Sequence, residues 1–200
     1  QLVRMARDLA ERNADAPGFV AQAAAFTATR PSITHVSWLG SSRNLRASHA
    51  IALFHPEANP SGSVMAPELP VAGEATASER AFGRVRLSRL PTYSSAFRDA
   101  AGTPVFQLQV PVLERGNFGG ALIAEYALEA LLRQTVPREV TQRHTVAITD
   151  AQGREIAGSV LQMPGQPPSR PTIVHDLPFA PADNGLLLRG MGWRTSLGLV

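Results

Sequence analysis

Residues 103–113 alternate strictly. Phe106, Leu108, Val110 and Val112 occupy one set of positions, and Gln107 and Gln109 the other. A period of two is the signature of a β-strand with one covered face. Pro111 falls on the glutamine face and predicts an edge position or a bulge there. A turn at Asp99–Gly102 precedes this strand, with a short strand over 92–98 before it. Arg115-Gly-Asn117 closes a hairpin onto a third strand, 118–126. Three strands joined by tight turns make an antiparallel meander.

The elements around the meander follow from periodicity and capping. Leu2, Met5, Ala6 and Leu9 form one helical stripe, so a helix is predicted over 2–13. Asp15 before Pro17 caps a second helix over about 18–29, ended by Pro31. A strand pair, 33–39 and 45–51, turns at Gly40–Asn44. Residues 56–77 are rich in Pro, Ser, Gly and Ala and read as a long surface excursion. Ser78 is a candidate cap for a helix to Leu87, and another helix is predicted over 128–134, closed by Pro137. Beyond it no helical periodicity is visible. A strand–turn–strand unit spans 145–159 around Asp150-Ala-Gln-Gly153, Met163–Pro171 is a proline-rich linker, and 172–177, 185–189 and 193–199 are strand-like. The expectation is an α+β chain with two parts. A larger lobe, 1–138, has leading helices over an antiparallel sheet, and a smaller β-rich lobe spans 139–200.

Charge excludes some functions. All 19 basic residues are Arg, and against 16 acidic ones the net charge is only +3. The basic residues are spread along the chain beside acidic neighbours, so a nucleic-acid footprint is absent. With no Cys there is no disulfide, thiolate metal site or Cys nucleophile. No apolar run reaches the roughly 18 residues of a membrane span. The start at Gln1 without a Met, inside a helical pattern, reads as a piece of a longer protein. No G-x-S-x-G, P-loop, H-E-x-x-H or G-x-G-x-x-G motif is present, so an enzyme is not expected. His35 and His49 could face each other across the first hairpin, a weak hint of a metal, but no metal or other cofactor is expected.

Several residues carry candidate binding chemistry. Arg80, Arg84, Arg86 and Arg89 form the tightest basic group, and guanidinium takes carboxylates bidentately. Gln107 and Gln109 need partners if their face is enclosed, and a polar ligand would supply them; the alternative is a solvated face. Glu125 lies between apolar residues in a strand and calls for a partner if buried. Trp38 is carried as a ligand candidate, with core packing the alternative for it and for Tyr126.

The pattern then resembles a known family. Two helices lead into a strand pair, then a helix ending in Arg-x-Pro-x-Tyr-Ser at 89–94. Val110-Pro-Val112, Gly116-x-Phe-x-Gly-Ala-Leu122 and Leu128-x-x-Leu-Leu132 follow. This resembles the Cache (PDC, PAS-like) extracytoplasmic sensor domains of bacterial histidine kinases and chemoreceptors. Val-Ala-Ile-Thr-Asp-Ala-Gln-Gly-Arg154 is similar to the opening of a second Cache lobe. The resemblance implies two stacked PAS-like lobes between membrane spans lying outside this chain, in a periplasmic domain of an inner-membrane protein. It implies a small-molecule ligand in the first lobe, a carboxylate among the candidates, and a second lobe acting as a spacer. Family pockets draw on zones where Arg84, Arg86, Tyr93, Ser94 and Ser95 fall here. Glu125 stands where family members commonly carry Asp, which weakens the expectation of an amino acid. A homodimer is expected through the apolar stripe of the first helix, unless that stripe packs on its own sheet. The receptor reading is a histidine kinase; a chemoreceptor or a non-signalling binding module is the alternative.

Overall fold

The structure, a computed structural model, describes residues 1–11, 15–51, 74–99, 102–141, 144–159, 173–179 and 184–192. Most of the predicted excursion, the proline-rich linker and the strand at 193–199 lie outside the described residues. The chain divides into two compact units, Gln1–Ala127 and Leu128–Val200. The division comes one helix earlier than the boundary expected at residue 138, because α4 (Leu128–Thr135) packs on the strands of the second unit.

The first unit is built on one antiparallel sheet. Its strands are β1 (Ile33–Gly40), β2 (Leu45–Ala50), β3 (Thr92–Tyr93), β4 (Phe97–Arg98), β5 (Pro104–Glu114) and β6 (Asn117–Ala127). They are ordered β2-β1-β6-β5-β3, with β4 also on β5. The meander expected from the sequence is therefore present, with β1 added beside β6. The β5–β6 hairpin turns through Arg115 (φ 51) and Gly116 (φ 81), the pair of positive φ values that a two-residue turn of matching twist needs.

Register sorts the side chains into two faces. Val36, Ala124 and Leu108 are opposite one another across β1, β6 and β5, as are Trp38, Leu122 and Val110. This face packs under α1 (Leu2–Glu11) and α2 (Ala16–Thr27), through Leu2, Met5, Leu9, Phe19 and Phe26. The expected roofing of the apolar face is borne out. The α1 stripe is consumed in doing so, which leaves Val3, Arg4, Arg7 and Glu11 as the exposed residues of that helix. Asp15 caps α2 by accepting from the Gly18 amide at 3.0 Å.

The other face carries Leu39, Ala121 and Ile123, covered by Phe82 and Val85 of α3 (Ala77–Ser88). The cap of α3 is Thr76, not Ser78. Thr76 Oγ1 accepts from the Glu79 amide while Glu79 Oε2 accepts from the Thr76 amide, a reciprocal capping box. The single strand expected over 92–98 is split because Ser94 breaks the ladder with its side chain, Oγ accepting from the Gln107 amide at 2.8 Å. That bond fixes which side of β5 the Gln107 amide faces. The period of two puts the position of Pro111 on the same side, past the end of β3, so its missing N–H removes no rung.

At Gly120 no other residue fits. Its φ is +148, and a Cβ there would sit 2.0 Å from the Leu39 carbonyl. This close approach lets β6 run against β1 at the bulged end of the sheet.

The second unit holds α4, α5 (Arg138–Thr141) and a sheet of β7 (His144–Asp150), β8 (Glu155–Ser159), β9 (Ile173–Pro178) and β10 (Leu186–Gly192). α5 is a short helix that periodicity did not reveal. Strand order is β8-β7-β10-β9, all antiparallel. Arg189 on β10 donates from Nε and Nη2 to the two carboxylate oxygens of Asp176 on β9, each at 2.8 Å.

Candidate ligand site

The face of the first sheet turned toward α3 is polar over part of its area, and that part is buried. Register aligns His35, Glu125 and Gln107 in one row and Ser37, Ile123 and Gln109 in the next. Their exposures run from 0% at Gln109 to 4% at Gln107. The glutamines therefore do not form a solvated face.

Buried polar groups must find partners, and here they bond in sequence. Thr34 lies at the bulge where β1 shifts register against β6, and its hydroxyl donates to Glu125 Oε1 at 3.1 Å. Gln107 Nε2 donates to Glu125 Oε2 at 3.0 Å. Gln109 Nε2 donates to Gln107 Oε1 at 3.1 Å and to the Ser78 carbonyl of α3 at 3.0 Å. The ladder thus runs from the middle of the sheet to the first turn of α3. Ser37 Oγ and Gln109 Oε1 on this face have no hydrogen-bond partner among the described residues.

The structure brings together four of the residues singled out in the sequence: Ser94, Gln107, Gln109 and Glu125. It places the others elsewhere. Trp38 lies on the opposite face, 6.1 Å from Phe19 between ring centroids, with the Arg46 guanidinium over its own ring. Its partners there are those of a core aromatic. Tyr93 and Tyr126 flank Phe106 on that same face, and burial raises the pKa of each phenol. Arg84 and Arg86 are exposed on α3, and Arg84 donates to the Tyr93 carbonyl. Ser95 is exposed.

The suggested His35–His49 pairing is corrected by register. His35 is opposite Ala50, and His49 is opposite Val36, so the two rings project from different faces. Among the described residues no group of His, Asp and Glu could hold a metal ion. Sequence reasoning passed over Thr34, Ser37 and Ser78. A signal existed for Ser37, because His35 and Ser37 recur at a spacing of two inside an apolar strand.

A buried polar patch thus lies on one face of a six-stranded antiparallel sheet whose other face is roofed by the two leading helices. No protein-family model matches the chain, and no curated protein matches it. Solved structures do share its fold. One is the ligand-binding domain of the Pseudomonas aeruginosa PAO1 amino acid chemoreceptor PctC in complex with GABA, at TM-score 0.55 and 13% identity, covering 95% of this chain and 87% of that one. The ligand-binding domain of the Pseudomonas fluorescens chemoreceptor CtaA in complex with L-valine matches at TM-score 0.57 and 11% identity, covering 97% and 86%. An extracellular ligand binding receptor from Desulfohalobium retbaense DSM5692 matches at TM-score 0.64 and 11% identity, over 96% of this chain and 36% of that one. The fold is accordingly α+β, with two PAS-like antiparallel lobes, and is shared with these ligand-binding domains.

Proposed function

We propose that this chain is a non-catalytic, extracytoplasmic sensor domain that binds a small molecule in its first lobe. The observation that carries the reading is the ladder ending at Gln109 Oε1, a buried acceptor on the sheet face where a ligand would lie. The solved domains of the same fold support it, since they include chemoreceptor domains in complex with GABA and with L-valine. Binding transmits a signal only if two packings of the lobe take the ligand unequally. The link from Gln109 to the Ser78 carbonyl supplies a route, because a ligand that displaces this bond also changes how α3 sits on the sheet.

The domain belongs, in this reading, to a membrane-anchored receptor whose spans lie outside these residues, with the domain in the periplasm. No helix among the described residues is long and apolar enough to cross a membrane. A histidine kinase is the output inferred from the sequence resemblance. A chemoreceptor is the second reading, favoured by the solved structures, which include chemoreceptor ligand-binding domains. A homodimer through α1 would use its outward residues, Val3, Arg4 and Arg7. Carboxylate capture was expected from Arg84 and Arg86, which stand apart from the polar face.

The test is thermal unfolding of the chain against small amines, polyols, amides, amino acids and carboxylates. A ligand raises the melting temperature in a concentration-dependent way. A flat response to every compound refutes the sensing role.

A further inference from the structure

We infer that the ligand of the first lobe is a hydrogen-bond donor without a carboxylate: a small amine, amide or polyol. This rests on the sensing reading above and adds the ligand's chemistry to it. A carboxylate only accepts, so Gln107 turns its NH2 toward Glu125 Oε2. Its carbonyl then faces Gln109, whose NH2 spends its two protons on Gln107 Oε1 and the Ser78 carbonyl. Reversing either amide would set carbonyl against carboxylate or carbonyl against carbonyl. The leftover atom is therefore fixed as an acceptor, Gln109 Oε1, on a side chain with 0% exposure.

Ser37 Oγ also has no hydrogen-bond partner among the described residues. Ser37 and Gln109 are both opposite Ile123, from either side of β6. Two strand spacings separate their Cα atoms by about 10 Å, a span that a small molecule with two polar groups can bridge.

The cations point the same way. A buried carboxylate ligand needs a guanidinium or ammonium partner. The chain has no Lys, and residues 52–73, between β2 and α3, contain no Arg. No Arg is among the buried polar side chains described. Beside α3, Arg43 donates to Glu79 at 3.0 Å and to Ser78 Oγ at 3.3 Å, and its buried Nε has no hydrogen-bond partner among the described residues. A ligand carboxylate placed on Gln109 Oε1 would set acceptor against acceptor.

The experiment is calorimetric and thermal titration of the 200-residue chain with three probe sets. These are ethanolamine and 1,4-diaminobutane; glycerol, myo-inositol and acetamide; and acetate, succinate and GABA. The expected result is a rise in melting temperature with a member of the first or second set, which also tells a cationic donor from a neutral one, and none with the third. Ser37→Ala is expected to weaken that probe about tenfold, by loss of one hydrogen bond, while the unliganded protein melts at the same temperature or higher. Stabilisation by carboxylate-bearing probes alone overturns the donor assignment and leaves the sensing role standing. Stabilisation by no probe overturns the sensing role, and the donor assignment with it. A Ser37→Ala protein that binds unchanged, or melts lower, overturns the placement of the ligand between Ser37 and Gln109.

Discussion

Replacing Gln107 with Leu removes the middle of the buried ladder without opening a large cavity, since the two side chains are close in volume. Two bonds go. The Gln107 amide no longer donates to Glu125 Oε2, and the Gln109 amide loses one of its two acceptors. A hydrogen bond to a charged group contributes about 1.5–3 kcal/mol and a neutral one about 1 kcal/mol, so the substitution costs about 2.5–4 kcal/mol. That is a large share of a stability of about 5–15 kcal/mol. With a urea slope of about 2 kcal/mol/M, the unfolding midpoint falls by roughly 1.2–2 M. Fluorescence in a Trp193→Phe background leaves Trp38, on the same sheet, as the reporter of the first unit. The double variant Gln107→Leu/Glu125→Leu supplies the control. Removing the carboxylate together with its donor costs less than the sum of the single changes, with a coupling of about 1 kcal/mol or more. A midpoint shift under about 0.5 M for Gln107→Leu, or strict additivity in the double variant, would refute the ladder.

Three further outcomes follow from other parts of the first unit. Gly120→Ala forces a Cβ onto the Leu39 carbonyl at a positive φ, so the variant loses about 3 kcal/mol or more in chemical denaturation; a neutral result would mean that β1 and β6 do not approach this closely. Thr76→Ala removes one arm of the α3 capping box and costs about 1 kcal/mol, whereas Ser78→Ala leaves the cap intact, a contrast read from paired urea curves. His49 is half-buried, and desolvation holds its pKa below 6.5, so the unfolded chain takes up this proton first. The resulting contribution to stability is present above pH 6.5 and declines as pH falls below it; His49→Asn should flatten that part of a plot of melting temperature against pH, and an unchanged slope would exclude the effect.

The fold was largely legible because its strands carry strong local signals. Alternation over 103–113 located β5 and assigned its faces, and Arg115-Gly116 located the turn. The short elements were harder. β3 and β4 read as one strand because nothing local announces that Ser94 replaces a backbone rung with its side chain. Ser78 resembled a cap by residue type, yet Thr76 has Glu79 three positions on, and that spacing is what completes a capping box. The lobe boundary was placed at 138 because Pro137 is a visible breaker, whereas the packing of α4 on β7 and β8 is a tertiary matter.

The site was legible only in part, for a different reason. Residue type suggested Arg84, Arg86 and Trp38, but what decides membership in a buried site is the face, and the face follows from register. Trp38 alternates with Ser37, so once β1 is set against β6 one of them must lie under the leading helices and the other under α3. Residue type could not say whether Gln107 and Gln109 were solvated, because that depends on a helix twenty or more positions away. Their burial is what separates the fold's needs from the site's. Leu at 107, 109 and 125 would cover the same sheet without the cost of desolvating two amides and a carboxylate. Packing alone therefore does not account for a polar row at the centre of the sheet. A row in which both amides donate toward Glu125, and which ends in an acceptor with nothing on it among the described residues, fits the proposed donor from outside the chain.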